Sequence, residues 1–65
     1  MTYREGAWVW DKERCQVGQV MEDAERFGEV YLRPPDGGRE WSAKPLALRL
    51  ASRAERAAAG VAAAV

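Results

Sequence analysis

The chain contains no histidine and only one cysteine, Cys15. The lack of histidine excludes imidazole-based catalysis and histidine pH switching, and with a lone cysteine it also excludes zinc sites of the usual kinds. A single cysteine cannot form a disulfide within the chain. Because Cys15 alternates with Val17, we expect it to be a small core residue and not a reactive thiol.

Long apolar runs are also absent. The first five residues lack the apolar core of a signal peptide, and no segment approaches the ~20 apolar residues of a membrane span. We therefore expect a cytoplasmic protein with no membrane partner.

The chain has no excess charge of either sign, since Lys plus Arg and Asp plus Glu both number ten. Bulk charge thus gives no support to a nucleic-acid or anionic-membrane role. The distribution is uneven, because residues 1–32 carry four basic and seven acidic side chains, and residues 33–65 carry six basic and three acidic ones. The basic half could face an anion or could pair with the chain's own acidic half.

No catalytic or metal motif is recognisable. Glu22, Asp23 and Glu25 have neither the spacing of a calcium loop nor a partner nucleophile, and a charged loop is the ordinary interpretation. We therefore predict a protein that is not an enzyme and has no cofactor.

The strongest positive signal is a hairpin between Val30 and Trp41. The alternating segment Val30 to Leu32 runs through a Pro-Pro-Asp-Gly-Gly turn into a second short strand that ends near Ala43. A hairpin of this kind in a 65-residue chain favours a small β-barrel. A barrel of this size is typically a binding module.

Three further segments complete the predicted sheet, Gly6–Trp10, Cys15–Met21 and Leu46–Leu50. The last could also hold a single helical turn before a short strand, although its alternating leucines fit a strand better. In the first, Val9 shares one face with Ala7, and Trp8 and Trp10 share the other. A change of phase at Gly18 predicts a β-bulge in the second. We expect Val30, Leu32 and Trp41 to face the core.

The tail predicts a helix over residues 52–65. Ser52 and Glu55 have the spacing of a capping box, and alanine and valine then recur at helical spacing. Gly60 lies inside this pattern, so we expect the last turn to fray. The predicted domains are a barrel over residues 1–51 and this helix.

This order of elements resembles the SH3-like small β-barrels, and within them the Tudor-type and KOW-type barrels. The resemblance covers residues 6–51 and depends on the step Val17–Val20, the glycine-rich turn before strand four, and the segment from Pro45 to Arg49. It implies a mainly β fold, a five-stranded antiparallel SH3-like barrel with a short C-terminal α-helix. Three segments also resemble a group of short actinobacterial proteins that carry no established activity: Val17–Met21, Leu32–Pro35 and Gly38–Trp41.

The candidate ligand surface is aromatic with a basic edge, and consists of Trp8, Trp10, Tyr31, Arg33 and Arg39. Tudor domains hold methylated side chains in an aromatic cage, and these rings could supply its walls. The ordinary alternatives are that at least one of Trp8 and Trp10 belongs to the core, and that Arg39 and Arg33 pair with Glu40 and Glu29 on a solvated sheet face.

We therefore predict a non-enzymatic protein-interaction module or regulatory adaptor with a protein or peptide partner, as a monomer or weak homodimer. The alternative is a nucleic-acid-binding barrel that uses the arginine-rich second half, with Arg33, Arg39, Lys44 and Arg49 next to aromatic rings.

Overall fold

A computed structural model of the chain describes residues 3–26 and 28–61, with residues 22–26 described by their backbone alone. Within these residues there are five strands, a 3-10 turn and one helix: β1 Trp8–Asp11, β2 Gln16–Arg26, β3 Glu29–Arg33, β4 Trp41–Ala43, the turn Pro45–Ala47, β5 Leu48–Leu50 and α1 Arg53–Ala58. The predicted mainly β fold with five antiparallel strands and a short C-terminal helix is confirmed.

The strands form one sheet in the order β4-β3-β2-β1-β5. Each strand up to β4 pairs with the one before it, and β5 then returns to pair with β1. In the part of the chain that the structure describes, β4 and β5 are the two sheet edges and do not pair with each other. The sheet is therefore open, and the closed barrel expected from the sequence is not observed.

One face of the sheet, the core face, holds a cluster contributed by all five strands. Its buried members are Val9, Val20, Val30, Leu32, Trp41, Ala43 and Leu48, with Tyr3 and Ala7 packed against them. Alternation places such residues on one side of each strand. The predicted inward positions of Val30, Leu32 and Trp41 are confirmed.

The predicted bounds and bulge of the second strand are wrong. β2 continues to Arg26, so the predicted charged loop over residues 22–26 is strand backbone. Pairing with β1 runs without interruption through Gly18. The irregularity lies further along, where four residues, 21–24, are opposite the single residue Tyr31 between paired positions.

A glycine is required at position 18 because of side-chain packing and not because of a β-bulge. A Cβ atom built on Gly18 would lie 2.8 Å from Cη2 of Trp41, closer than a carbon contact allows. The glycine is therefore needed because the indole ring packs directly against the β2 backbone.

The predicted core position of Cys15 is also wrong. Cys15 is exposed, with φ of 53°, in the four-residue loop that joins β1 to β2. The loop needs a left-handed residue at its end before the chain can re-enter the sheet, and Cys15 occupies that position.

The turn before β4 and the cap of α1 follow the sequence closely. Gly37 has φ of 80° and donates its N–H to the carbonyl of Pro34 at 3.0 Å, and the Asp36 carboxylate accepts the N–H of Gly38. Ser52 and Glu55 form both hydrogen bonds of the predicted capping box. The predicted length of the helix is wrong, because α1 ends at Ala58 and Gly60 has φ of 83°, in the left-handed region that ends a helix. The helix buries none of its residues, and residues 62–65 of the predicted stripe lie outside the described residues.

β5 is only partly the alternating strand that the sequence predicts. Leu48 is buried, but Leu50 is 64% exposed and Leu46, in the 3-10 turn, is 90% exposed. Among the described residues, α1 is the single α-helix, and no helix has the length and apolar character to cross a membrane.

Candidate binding face of the sheet

The sheet face opposite the core, here called the outer face, carries Trp8 and Trp10. Both are on β1, two residues apart, and both are partly buried, whereas Val9 between them is fully buried in the core. Since side chains alternate along a strand, both tryptophans point away from the core cluster. The alternative that one of them belongs to the core is wrong, because neither is a member of the core cluster.

Strand register arranges the outer face in rows. Trp8 is opposite Gln19 on β2, and Gln19 is opposite Arg33 on β3. In the next row, Trp10 lies between Val17 on β2 and Arg49 on β5. Directly opposite residues of antiparallel strands share a face, so two aromatic rings and two arginines lie together on the outer face.

Part of this face is covered by its own side chains. Val17 is only 2% exposed although it lies opposite Trp10 and outside the core cluster. The guanidinium of Arg49 stacks over the Trp10 ring at 5.6 Å from the centroid. Trp10 therefore already has partners within the chain, whereas its neighbour Trp8 is opposite the polar Gln19, whose amide donates to the carbonyl of Gly6.

Both arginines of the outer face are paired with glutamates that come from outside the sheet. Arg33 binds Glu40, in the loop before β4, at 3.0 Å, and both side chains are exposed. Arg49 makes two hydrogen bonds to Glu55 of α1, at 2.8 and 2.5 Å. Arg33 is therefore half of a surface ion pair, as the alternative interpretation expected, but its partner is Glu40 and not Glu29. Among the described residues, Arg39 forms no ion pair, so that part of the interpretation is wrong.

The Arg49–Glu55 pair changes the ionisation of both groups. Hydrogen bonds from the Arg49 guanidinium, and then from the backbone N–H of Ser52, lower the pKa of Glu55 to about 2. The same carboxylate raises the pKa of Arg49. The Arg49 guanidinium thus lies over the Trp10 ring and binds the Glu55 carboxylate at the same time.

The other two predicted site residues are less central. Tyr31 is partly buried on the outer face of β3, opposite Ser42 of β4, whose hydroxyl donates to Glu29. Arg39 is exposed in the loop before β4 and lies outside the paired positions. The structure therefore brings Trp8, Trp10, Tyr31 and Arg33 to one face and leaves Arg39 at the margin.

A buried polar cluster lies at the opposite side of the sheet, on the core face. The Asp11 carboxylate, 2% exposed, accepts the indole N–H of Trp41 at 2.9 Å and the backbone N–H groups of Glu13 and Arg14 at 2.9 and 3.1 Å. The Arg14 guanidinium lies 4.6 Å above the Trp41 ring. The hydrogen bonds that the structure shows for this carboxylate hold the β1–β2 loop and Trp41 in place. Its role is therefore structural.

Sequence reasoning missed this cluster, although a signal for it existed. Alternation from Val9 places Asp11 on the core face, and Trp41 was predicted to point there too. A buried carboxylate opposite an indole N–H is a natural pair, but the pairing spans 30 residues of sequence and cannot be read from either strand alone.

In the described residues, no three or more His, Cys, Asp or Glu side chains converge in a way that could hold a metal ion. No protein-family model, curated protein or solved structure matches this chain. The resemblance to SH3-like barrels and to short actinobacterial proteins accordingly stays a prediction.

Proposed function

We propose that this chain is a non-enzymatic binding module, an interaction domain or small regulatory adaptor, that holds a protein or peptide partner on the outer face. The observation that carries this proposal is that the core cluster is complete without Trp8, Trp10 and Tyr31. A domain of this size has little apolar area to place anywhere but in its core. Three partly exposed aromatic side chains on the opposite face therefore favour contact with a partner.

The composition of the outer face supports a protein partner. Tryptophan, tyrosine and arginine are the residues that dominate binding energy at protein interfaces, where aromatic anchors are surrounded by polar groups. Trp8 is followed along its row by Gln19 and Arg33. This row joins an apolar anchor to hydrogen-bonding groups that can fix the orientation of a peptide.

The architecture supports a small barrel-like module. β1 pairs with β2 on one side and with β5 on the other, and the 3-10 turn leads directly into β5. The segment from Pro45 to Arg49, which contains this turn, is one of the elements from which the SH3-like barrel was predicted, and a sheet of five twisted strands curls towards that shape. An SH3-like assignment is part of the proposal.

The nucleic-acid alternative has less support. It requires a surface with excess positive charge, but the chain carries as many acidic as basic side chains, and Glu40 and Glu55 lie beside two of the four predicted cations, Arg33 and Arg49. Nucleic-acid binding would also weaken steeply as salt rises.

The proposal is tested with a phage-displayed library of random twelve-residue peptides. Peptides selected on the intact protein are measured for affinity to the wild type, Trp8→Ala and Trp8→Phe. We expect Trp8→Ala to lower affinity at least ten-fold and Trp8→Phe to retain most of it, because an aromatic ring still fills the position.

Amide NMR spectra of each variant show whether the fold is intact. A Trp8→Ala protein that unfolds would assign Trp8 to stability. A folded Trp8→Ala protein that binds the peptides as tightly as the wild type would exclude the outer face as the binding site. Selective binding of a single-stranded oligonucleotide, lost at high salt, would favour the alternative function.

A further inference from the structure

Each of the two arginines on the outer face, Arg33 and Arg49, forms an ion pair with a glutamate from outside the sheet. Each lies beside the tryptophan pair, Arg33 in the row of Trp8 and Arg49 in the row of Trp10. Each is bound by a carboxylate from a segment outside the sheet, Glu40 from a loop and Glu55 from α1. The molecule thus places one carboxylate at each side of its aromatic rings.

These carboxylates are held in ways that allow exchange. The Arg33–Glu40 pair is exposed on both sides, and such pairs contribute only ~0–1 kcal/mol because water competes for both ions. Glu55 belongs to a six-residue helix that buries none of its residues. A carboxylate from another chain could therefore take either place with little loss of structure.

We propose that the outer face binds an acidic peptide segment, in which two carboxylates replace Glu40 on Arg33 and Glu55 on Arg49 while apolar side chains contact Trp8. This inference rests on the proposed function and names the chemistry of its partner. Glu40 and Glu55 act as internal competitors for that partner.

The sheet geometry sets the spacing of the two acidic residues. Arg33 and Arg49 are on strands three positions apart, which is about 14 Å at the usual strand spacing. Their rows differ by two residues along β1, about 7 Å more in the perpendicular direction. The resulting separation is about 16 Å. Side chains four residues apart share one face of an extended peptide and lie about 13 Å apart, and the long arginine and glutamate side chains cover the difference.

The test uses a matched pair of five-residue peptides. One has glutamate at positions one and five with apolar residues between, and the other has glutamine at both positions. Affinities are measured by titration calorimetry or fluorescence anisotropy at low salt. We expect the glutamate peptide to bind at least ten-fold more tightly, and Arg33→Gln and Arg49→Gln each to remove most of that difference.

The decisive variant is Glu55→Gln. Glutamine can preserve the capping box but removes the charge that competes for Arg49. We expect this variant to bind the glutamate peptide at least three-fold more tightly than the wild type and to leave the glutamine peptide unaffected. Arg53→Gln, which removes an exposed cation of α1, is the matched control and should change neither affinity.

Each other result overturns the inference. The internal glutamates do not mark the partner's carboxylates if the two peptides bind equally or if Glu55→Gln leaves the affinity unchanged. The same conclusion follows if Arg53→Gln loses as much affinity as Arg49→Gln. If library peptides bind through Trp8 without enrichment in Asp or Glu, the acidic partner is wrong and the binding module stands. If no peptide of any composition binds, the proposed function fails as well. Tighter binding of an oligonucleotide at Arg33 and Arg49 would replace the acidic peptide with a phosphate backbone.

Discussion

Gly18 and the Trp41 ring meet at a contact that leaves no space for a side chain. A Cβ atom on Gly18 would lie 2.8 Å from one ring carbon of Trp41 and 3.1 Å from another. In most strands, replacing glycine by alanine costs nothing or stabilises, because alanine has less backbone entropy to lose. At this position the steric conflict reverses the sign.

We expect Gly18→Ala to lower the free energy of unfolding by about 1–3 kcal/mol, the usual cost of overpacking a core. Urea denaturation followed by fluorescence measures the change. Combining Gly18→Ala with Trp41→Phe should cost less than the sum of the two single changes, because the smaller ring removes the conflict. Strict additivity would show that the ring does not restrict position 18.

Asp11 and Asp36 offer a matched comparison of a buried and an exposed carboxylate. Both accept backbone N–H groups in turns, but Asp11 also accepts the indole N–H of Trp41 and is buried. Removal of a buried acceptor leaves its donors without partners and without access to water.

We expect Asp11→Ala to cost about 2–4 kcal/mol and Asp36→Ala about 0.5–1 kcal/mol. Denaturant melts give both values, and the indole N–H resonance of Trp41 should move in the first variant alone. Equal costs for the two variants would contradict a supporting role for Asp11 in the core.

At the scale of elements, α1 is held by its cap and by the Arg49–Glu55 pair, since none of its residues is buried. Hydrogen bonds from Arg49 and then from Ser52 lower the pKa of Glu55 from its ordinary value of 4.5 to about 2. A depressed acidic pKa stabilises the folded helix fully above pH 4.5, and this contribution is lost as the pH falls towards 2.

We therefore expect the side-chain carboxyl carbon of Glu55 to titrate in NMR with a pKa of about 2, and amide protection in α1 to decrease over the same pH range. In Arg49→Gln the pKa of Glu55 should rise towards its ordinary value, though only partly, because Ser52 still donates to it. A Glu55 carboxyl that titrates near 4.5 in the wild type would show that the ion pair does not form in solution.

Sequence reasoning succeeded where a short segment decides its own structure. Alternation placed Val30, Leu32 and Trp41 on the core face, turn chemistry located the Pro34–Gly37 turn, and the Ser52–Glu55 spacing located the helix start. It failed where two distant segments decide together. The reason for Gly18 is Trp41, 23 positions further along the chain.

The candidate site divides in the same way. Alternation along a strand is enough to predict that Trp8 and Trp10 share a face. Once Val9 is known to be buried, the same alternation places both tryptophans on the face opposite the core. The position of Arg49 over Trp10 depends on the pairing of β5 with β1, which no local pattern specifies. A glutamate partner was predicted for Arg33, although not Glu40, and no carboxylate was predicted for Arg49.

At the scale of the whole molecule, the pairing of β5 with β1 places the last strand of the described chain next to the first. Tyr3 donates its hydroxyl to the carbonyl of Leu48, 45 residues away, and Lys12 donates its N–H to the carbonyl of Ala47. Leu48 adds the one core side chain that β5 contributes. The sheet therefore depends on residues 45–50 far more than on α1.

Two truncated chains test this division and the predicted domain boundary. The chain that ends at Ala51 keeps β5 and the hydrogen bond from the Ala51 N–H to the Trp8 carbonyl. We expect it to fold with a loss of less than about 1 kcal/mol, since it gives up only exposed contacts. Its amide NMR spectrum should keep the dispersion of the intact protein.

The chain that ends at Lys44 should not fold. It loses Leu48 from the core, and deletion of one such side chain typically costs about 2–5 kcal/mol. It also leaves the hydroxyl of Tyr3 and the N–H of Lys12 without their partners and turns β1 into an exposed edge. A domain of this size has a stability of roughly 3–5 kcal/mol, so these losses exceed what it can tolerate. A dispersed spectrum from this chain would show that β1 to β4 form a stable unit alone, and β5 with its arginine would then be an appendage that the binding face could lose without unfolding.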